Sequence, residues 1–310
     1  MTINILLASY KGQAYLAGQI ESIINQKNVD VKIQISDDGS AASCLQVLNN
    51  MPLFAQYKNL MSVSDGPQKG VNANFLHLLH QAKVCTDDLY AFSDQDDIWL
   101  SDKLLSAKSQ IYMSPVSAAV PVLYMGRTMV CNEKLQPLFL SKGISRSMSF
   151  KNALLESVAG GNTMMFNSAT LVLLQRVNYA VHHDWLSYMA VMACGGRVIF
   201  DDTAYVLYRQ HSANVIGASR GTRAKLYRFK KLLSNEFRNW ADNNITALSP
   251  LFSQMTAENQ AIYIGFKRLH EMQGWYYCFH RLALFVKLGL YRQRRVEHWG
   301  FMLAAFLGKI

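Results

Sequence analysis

Three carboxylates lie within four positions of the chain, at Asp94, Asp96 and Asp97. They directly follow residues 89–92, an apolar segment with the composition of a buried strand. Ligands of open α/β sheets bind at the carboxyl ends of the strands. Carboxylates this close repel one another unless a cation neutralises them, and Mg²⁺ or Mn²⁺ suits such oxygen ligands. The segment predicts a metal-assisted site for a phosphate-bearing substrate, with a solvated acidic turn before a helix at 101–102 as the alternative.

A second acidic pair, Asp37 and Asp38, is followed by Gly39 and Ser40 and again ends an apolar strand-like segment. Its carboxylates could accept hydrogen bonds from a pyrimidine base or from ribose hydroxyls. The alternative is a helix N-cap with an acidic first turn. A parallel sheet would bring both acidic clusters to the same edge, which favours the binding interpretation.

Alternating strand and helix patterns must position these residues. The pattern predicts a strand at 3–8, a helix at 16–24, a strand at 31–35, a helix through 45–48, a loop at 64–67, a helix through 75–79 and a strand at 89–92. A further strand is predicted at 164–166, and His211 follows the apolar and aromatic segment at 205–208. This order predicts an α/β fold with a mostly parallel sheet and helices on both faces.

Composition narrows the class of protein. The 310 residues are 50% hydrophobic and 17% charged, enough for a large globular core. Five scattered cysteines without a Cys-x-x-Cys pair fit a reducing cytosol. We expect the N-terminus to be a first strand rather than a signal peptide, and no uncharged apolar run approaches the ~20 residues that span a bilayer.

The positive charge is concentrated near the C-terminus. Residues 1–218 hold 16 Lys and Arg against 16 Asp and Glu, whereas residues 219–310 hold 15 against 5. We therefore predict a domain boundary there, with a C-terminal basic helical extension at 219–310. Apolar residues at helical spacing among these charges suit an anionic membrane surface. A helical subdomain that packs on itself is the alternative.

The motifs together resemble the family 2 glycosyltransferases of the GT-A fold, which is a Rossmann-like fold for nucleotide-diphospho-sugar transfer. The resemblance is carried by residues 8–12 (Ala-Ser-Tyr-Lys-Gly), 36–40 (Ser-Asp-Asp-Gly-Ser), 70–75 (Gly-Val-Asn-Ala-Asn-Phe) and 93–99 (Ser-Asp-Gln-Asp-Asp-Ile-Trp). Residues 183–185 (His-Asp-Trp) and 208–217, beginning Tyr-Arg-Gln-His, look like those of bacterial rhamnosyltransferases. The resemblance implies a catalytic domain at 1–218.

The resemblance also implies roles for individual residues. Asp184 would be the catalytic base, while Asp96 and His211 would bind the Mg²⁺ or Mn²⁺ ion, with Asp97 in support. The implied donor-binding residues are Ser9, Tyr10, Asp37, Asp38, Asn74, Asp94, Gln95 and Arg209. The implied acceptor-side residues are Trp99, Gly161, Asn162 and Trp185.

Several of these residues have ordinary structural interpretations. Asp184 precedes a helical pattern and could be its N-cap, and a helix N-terminus also suits a carboxylate that stays ionised. His211 alone could be a hydrogen-bonded structural histidine. Residues 160–163 could form a simple turn. The adjacent His182 and His183 have no further ligand at zinc spacing.

The predicted function is an inverting, metal-dependent transfer of a sugar from a nucleotide donor, dTDP-L-rhamnose above others. The expected acceptor is a hydroxyl of a lipid-linked or oligosaccharide chain in a bacterial surface polysaccharide, at the cytoplasmic face of the inner membrane. UDP-glucose or UDP-galactose is the alternative donor. A basic nucleic-acid-binding protein is the rival class, but it leaves the acidic clusters unexplained. A nucleotide-dependent dehydrogenase lacks its Gly-x-Gly-x-x-Gly after the first strand.

Overall fold

The computed structural model describes residues 1–39, 44–50, 54–211 and 234–310. Its strands are β1 (Ile3–Ser9), β2 (Val31–Asp37), β3 (Met61–Asp65), β4 (Leu89–Ser93), β5 (Ile98–Trp99), β6 (Val122–Cys131), β7 (Pro137–Leu140), β8 (Met165–Asn167) and β9 (Arg197–Arg209). Its helices are α1 (Leu16–Ile24), α2 (Cys44–Asn49), α3 (Phe54–Tyr57), α4 (Val71–Gln81), α5 (Lys103–Tyr112), α6 (Phe150–Ala153), α7 (Ser168–Leu174), α8 (His183–Ala193), α9 (Glu236–Leu248), α10 (Ala257–Glu271), α11 (Cys278–Lys287) and α12 (Arg295–Leu307).

The strands of the described residues form one sheet in the order β3-β2-β1-β4-β8-β6-β9-β5, and β7 pairs with β6. The first four strands are parallel, as predicted. Beyond them the sheet is mixed, because β8 runs antiparallel to both β4 and β6, while β9 is parallel to β6. The carboxyl ends of β1, β2, β4, β6 and β9 therefore share one edge, and the amino end of β8 joins them there.

Both faces of the sheet are buried, which confirms the predicted layers of helices. In β1, Ile3, Ile5 and Leu7 belong to one core cluster with residues of α1 and α5. The alternate residues Leu6 and Ala8 belong to the other cluster, with residues of α4 and α8. This period-2 alternation with apolar residues on both faces is typical of a central strand in a parallel sheet.

Some predicted elements differ from the structure. Ser64 and Asp65, predicted as part of a loop, end the strand β3. This strand is only half-buried and rich in serine, so it lacks the apolar run that marks the central strands. The N-cap interpretation of Asp184 is wrong, because His182 is the N-cap of α8 and Asp184 lies in its first turn. The strands β5, β6, β7 and β9 were not predicted.

The C-terminal helices pack on the catalytic sheet. Phe237 of α9 lies with its ring 6.0 Å from that of Trp185 in α8 and 4.6 Å from that of Phe301 in α12. All three belong to the same core cluster as Leu6 of the central strand. The described residues 234–310 thus form a layer continuous with the sheet, whereas the predicted boundary at 218/219 lies outside the described residues. In the described parts of the chain, no helix has the length and apolar character needed to cross a membrane.

Candidate active site

The shared sheet edge collects most of the residues singled out in the sequence. Ser9 ends β1, Asp37 ends β2, residues 94–97 follow β4, and Arg209 ends β9 with His211 two residues beyond. The short 3-10 helix Gly161–Thr163 precedes the antiparallel strand β8 and so reaches the same edge. The Ser40 position of the acidic motif and residues 212–217 of the last motif lie outside the described residues.

Gln95 connects the acidic segment to the end of β1. Its Oε1 accepts hydrogen bonds from Ser9 Oγ (3.0 Å) and from the Tyr10 backbone N–H (2.8 Å), and its Nε2 donates to the Tyr10 carbonyl (2.8 Å). A Cβ at Gly12 would lie 2.2 Å from Gln95 Oε1, so only glycine allows this approach. The Gln95 side chain fixes the loop after β1, whose Tyr10 ring is 49% exposed.

Asp38 and Asn74 hold the loops after β2 and β3. The Asp38 carboxylate accepts from the backbone N–H groups of Gln68 (2.6 Å) and Gly70 (2.7 Å). Asn74 is buried at the start of α4 and donates to the Ser36 carbonyl (3.0 Å). Asp37 Oδ2 accepts from the Cys44 backbone N–H at 3.2 Å. These contacts are structural, and donor binding by these residues stays a prediction.

Asp96 and His211 meet across the edge. His211 Nε2 lies 2.8 Å from Asp96 Oδ2, and both side chains are largely buried, at 8% and 15% exposure. The Tyr15 ring stacks on the His211 ring with centroids 4.8 Å apart. The structure therefore brings together the two residues predicted to bind a metal ion.

Arg209 is held beside the Asp96–His211 pair by hydrogen bonds. Its Nε donates to the Asp96 carbonyl (3.0 Å), its Nη1 donates to the Glu133 carbonyl (2.6 Å), and its guanidinium lies 4.9 Å from the centre of the Tyr15 ring. The Tyr15 hydroxyl donates to Glu133 Oε1 at 2.9 Å. The arginine thus places a fixed positive charge beside the Asp96–His211 pair, where a phosphate group would be attracted.

Asp97 is fully buried and lies behind this pair. Its Oδ2 accepts from Asn162 Nδ2 (2.5 Å) and its Oδ1 from the Arg209 backbone N–H (3.3 Å). Burial raises the pKa of the Asp97 carboxyl, and the charge of Asp96 raises it further, whereas the bonds from Asn162 and Arg209 lower it. Asp97 therefore connects β4, β9 and the 3-10 helix before β8.

The carboxylates of this edge lie close enough to affect one another. Burial raises the pKa of the Asp94 carboxyl well above its usual range. The charges of Asp97, Asp96 and Asp184 add to the rise. Asp184, 90 residues from Asp94 in the chain, thus lies close enough for its charge to act on this cluster. Such crowded negative charge is relieved by a bound cation.

Asp184 is positioned by its neighbour His183. The Asn72 Oδ1 accepts from the His183 backbone N–H (3.1 Å) and lies 3.2 Å from its Nδ1, while Asn72 Nδ2 donates to the Val181 carbonyl (2.6 Å). The His183 ring stacks on Phe75 at 3.8 Å between centroids. Burial lowers the pKa of His183 to about 4, so its imidazole is neutral near pH 7. Asp184 therefore lies in the first turn of a helix whose start is held by these contacts.

The four predicted acceptor-side residues are largely buried. Trp99 is 3% exposed, and the Lys103 ammonium lies 3.5 Å from the centre of its ring. Trp185 is 4% exposed and its Nε1 donates to the Ala153 carbonyl at 2.6 Å. Gly161 packs against His183, where an added Cβ would lie 2.3 Å from Nε2. Asn162 bonds Asp97, as described above. These contacts support the fold of the site, and contact with an acceptor stays a prediction.

Three residues of the site were not singled out in the sequence. Tyr15 and Glu133 lie in loops after β1 and β6, and their only sequence signal is that loops following strands reach the ligand edge. Asn72 lies in the motif at 70–75, where Asn74 alone was assigned a role. Their functions depend on contacts between distant segments of the chain.

Asp96 and His211 fit a hard divalent cation. Among the residues that the structure describes, no group of three or more His, Cys, Asp or Glu side chains is arranged to hold a metal ion. A carboxylate and an imidazole would supply two ligands. Mg²⁺ commonly binds one or two protein carboxylates and completes its shell with water and phosphate oxygens. The donor set therefore suits an ion that is bound together with a diphosphate.

The comparisons with known proteins agree with this fold. Residues 4–177 match the sequence model of glycosyl transferase family 2. The chain belongs to this family, and it is a glycosyltransferase. The sequence is also 27% identical over 279 residues to the dTDP-rhamnosyl transferase RfbG of Shigella flexneri, covering 84% of this chain and 90% of that protein.

Solved structures show the same fold at low sequence identity. The crystal structure of S. aureus TarS 1–349 in complex with UDP-GlcNAc matches with a TM-score of 0.56 and 13% identity, over 100% of this chain and 90% of that one. The mannosyltransferase PcManGT from Pyrobaculum calidifontis, in complex with GDP-Man and Mn²⁺, matches with a TM-score of 0.50 and 13% identity, over 99% and 85% of the two chains. The predicted GT-A fold is thereby confirmed.

Proposed function

We propose that this glycosyltransferase inverts the anomeric centre, uses a divalent cation, and transfers L-rhamnose from dTDP-L-rhamnose to a hydroxyl acceptor. One observation carries the proposal: the Asp96–His211 pair and Asp184, from different parts of the chain, both lie close enough to Asp94 for the Asp96 and Asp184 charges to raise its pKa. The arrangement separates two tasks. One side would hold the diphosphate leaving group, and the other would receive a proton.

Asp184 acts as the general base. An acceptor hydroxyl is a poor nucleophile near neutral pH, so its proton passes to the Asp184 carboxylate as the oxygen attacks the anomeric carbon. The bond between that carbon and the nucleoside diphosphate breaks in the same step, and its electron pair leaves with the phosphate oxygen. A single displacement inverts the configuration, so a β-linked donor yields an α-glycoside.

Asp96 and His211 hold the cation, and Arg209 lies beside them. When bound, Mg²⁺ or Mn²⁺ stabilises the negative charge that develops on the departing diphosphate. Arg209 contributes a positive charge fixed by its bonds to the Asp96 and Glu133 carbonyls. The structures of PcManGT with Mn²⁺ and of GalNAc-T7 with UDP, GalNAc and Mn²⁺ support the use of a cation in this fold.

The donor nucleotide lies over the loops after β1, β2 and β4. Tyr10 is exposed enough to stack on a base, while Asp37 and Asp38 lie at the adjacent strand end. Asn74 and Asp94 are proposed for the base or ribose, and Gln95 orients the loop that carries Ser9 and Tyr10. The resemblance to a dTDP-rhamnosyl transferase supports dTDP-L-rhamnose. UDP-glucose and UDP-galactose are the alternative donors.

The acceptor is proposed to be a lipid-linked glycan of a bacterial surface polysaccharide such as an O-antigen. It would approach from the side of Gly161, Asn162 and the start of α8. The buried Trp99 and Trp185 are proposed to support this acceptor side of the site. The excess of positive charge in residues 219–310 favours peripheral association of the protein with the cytoplasmic face of the inner membrane. No nucleic-acid partner is expected, because the acidic edge repels phosphate unless a cation is bound.

A thermal-shift screen of nucleotide sugars, with and without Mn²⁺, tests metal use and donor choice together. A ligand that binds only the folded protein raises its apparent stability. We expect dTDP-L-rhamnose with Mn²⁺ to give the largest rise in Tm, and omission of Mn²⁺ to remove most of it. An equal or larger rise with a UDP-sugar would overturn the donor assignment, and a rise independent of Mn²⁺ would overturn the metal assignment. The Asp96→Ala variant is the matched control, since it should lose the Mn²⁺-dependent part.

A further inference from the structure

The C-terminal helix α12 carries a row of exposed apolar side chains. The row is formed by Val296 (84% exposed), Trp299 (65%), Leu303 (45%) and Leu307 (47%). Their spacing of three, four and four residues places them along one face of the helix. The opposite face is buried in the core through Phe301, among others. An amphipathic helix that is already packed therefore exposes a second apolar face to the solvent.

The neighbouring helix α11 carries a second row of exposed apolar side chains. Phe279 is 72% exposed and Val286 is 57% exposed, and Trp275 (85%) and Tyr276 (61%) precede the helix. The rings of Phe279 and Phe306 are 5.3 Å apart, and Phe285 lies 5.9 Å from His298.

The first contact joins the start of α11 to the end of α12 and the second joins the end of α11 to the start of α12, so the two helices are antiparallel. Both helices bury their other sides, and the contact between Phe279 and Phe306 brings the start of the row on α11 close to Leu307 at the end of the row on α12. We call this surface the apolar face, made of Trp275, Tyr276, Phe279, Val286, Val296, Trp299, Leu303 and Leu307.

Positive charge lies at one end of the apolar face. Lys287 ends α11, and Arg294 and Arg295 begin α12, so all three are at the turn of the hairpin, and all are exposed. Glu297 is the one acidic residue between 272 and 310. It is neutralised by Lys142 (2.7 Å) and Arg292 (3.1 Å). The face therefore combines apolar and aromatic surface with uncompensated positive charge.

We propose that the apolar face docks onto an anionic lipid bilayer and lies in its interface. Tryptophan and tyrosine prefer the boundary between headgroups and acyl chains, and basic residues at the edge are attracted to anionic lipids. The charge favours this partner over a second copy of the chain, because two copies would bring their basic ends close unless they paired head to tail. Nucleic acid would use the charges but leave the apolar rows in water.

The hairpin is coupled to the active site through its turn. Gln293 Nε2 donates to Asn152 Oδ1 (3.2 Å), and the hydroxyl of Tyr188 in α8 donates to the same oxygen (2.9 Å). Docking of the apolar face would thus fix the orientation of α8, and with it Asp184, relative to the membrane. This orientation would present the active site to a lipid-linked acceptor, and that purpose rests on the proposed function. The docking itself does not depend on the proposed function.

Vesicle flotation of the full chain tests the proposal without any substrate. We expect binding to phosphatidylcholine vesicles that contain phosphatidylglycerol, and a loss of at least about tenfold in a Trp299→Ser, Leu303→Ser double variant. Exposed apolar residues elsewhere supply the matched control, since Met113 and Leu138 are 80% and 57% exposed and lie outside the face. A Met113→Ser, Leu138→Ser variant should bind like the wild type. In an Arg294→Glu, Arg295→Glu variant, the affinity for anionic vesicles should fall by about fivefold or more for each charge changed, chiefly at low salt.

Three outcomes would overturn the proposal. The wild type could fail to bind anionic vesicles, or the Trp299 and Leu303 double variant could bind as tightly as the wild type. The double variant could also convert a dimer to a monomer in light scattering without a change in vesicle binding, which would assign the face to a second copy of the chain. Flotation uses no sugar donor. Its outcome therefore tests membrane docking even if the proposed glycosyl transfer is wrong.

Discussion

His211 Nε2 lies 2.8 Å from Asp96 Oδ2, although 115 residues separate them in the chain. Asp96 follows the central strand β4 and His211 follows β9, so two distant segments build one pair of side chains. The pair is held by the Tyr15 ring on one side and by Arg209, which bonds the Asp96 carbonyl. Because the pair is already formed, we expect the proposed cation and diphosphate to bind without rearrangement of the backbone.

Replacement of the pair tests its part in turnover. We expect Asp96→Ala to lower kcat by about 10³-fold or more, because the charge on the leaving diphosphate loses its stabilisation. His211→Ala should lower it less and raise the Mn²⁺ concentration required for half-maximal rate. Initial rates across a Mn²⁺ titration measure both effects. Asp102→Ala is the control, since Asp102 forms a half-exposed pair with Lys27 at the surface. Normal turnover by Asp96→Ala would remove this residue from the mechanism.

Asp184→Asn should separate binding from chemistry. The amide keeps the size of the side chain and its hydrogen bond from the Trp185 backbone N–H, which is 2.7 Å long in the wild type. It cannot accept a proton, so kcat should fall by about 10² to 10⁴-fold. The Kd of the nucleotide sugar, measured by calorimetry, should stay within about twofold of the wild-type value. Turnover near the wild-type rate would show that another group accepts the proton.

The close packing of Gly161 against His183 predicts a large cost for any side chain there. A Cβ in Gly161→Ala would lie 2.3 Å from His183 Nε2, and the ring is held by Asn72 and stacked on Phe75. We expect the free energy of unfolding to fall by about 1–3 kcal/mol, measured by urea denaturation. Gly18→Ala is the matched control, because Gly18 lies within α1 and its Cβ would meet Ile98 at an ordinary 3.4 Å. That variant should be neutral or stabilised by up to about 1 kcal/mol. Equal effects of the two substitutions would contradict the packing argument.

The buried His183 makes stability depend on pH. Burial lowers its folded-state pKa to about 4, the charge of His182 lowers it further, and Asp184 opposes the shift. In the unfolded chain a histidine titrates near about 6.5, so the unfolded state alone takes up this proton as the pH falls. The contribution of His183 to the free energy of unfolding should therefore decrease by about 2 kcal/mol between about pH 7 and about pH 5. The raised pKa values of the buried Asp94 and Asp97 carboxyls act in the opposite direction.

The contribution of His183 can be isolated by comparing variants. Urea denaturation at both pH values should show that His183→Gln loses less stability than the wild type between pH 7 and pH 5. His280→Gln, at an exposed site in α11, should keep the wild-type dependence. If His183→Gln retained the full dependence, the loss of stability in acid would come from other groups.

The chemistry-bearing segments could be found in the sequence because local physics marks them. An apolar strand followed at once by carboxylates is visible in residues 89–97, and the helix α1 is visible in Leu16, Ile20 and Ile23, all fully or nearly fully buried in the structure. The parallel order of β1, β2 and β4 follows from the alternation of strands and helices. In contrast, β3 has little apolar surface, so it carries no strong strand pattern. The strand β8 is only three residues long, and nothing local to it indicates its place in the sheet or its antiparallel direction.

Sequence alone indicated the class of chemistry in this protein, because the acidic clusters at strand ends occur within motifs that resemble those of family 2 glycosyltransferases. It also determined the parallel half of the fold and the concentration of positive charge near the C-terminus. The tertiary structure decided which residues act together. Antiparallel β8 brings Gly161 and Asn162 to the ligand edge, and the return of the chain through β9 brings His211 to Asp96. The packing of α9 to α12 on the catalytic core also left one face of the hairpin exposed. Such long-range pairings depend on closing loops of many residues around a shared core, and no local periodicity encodes them.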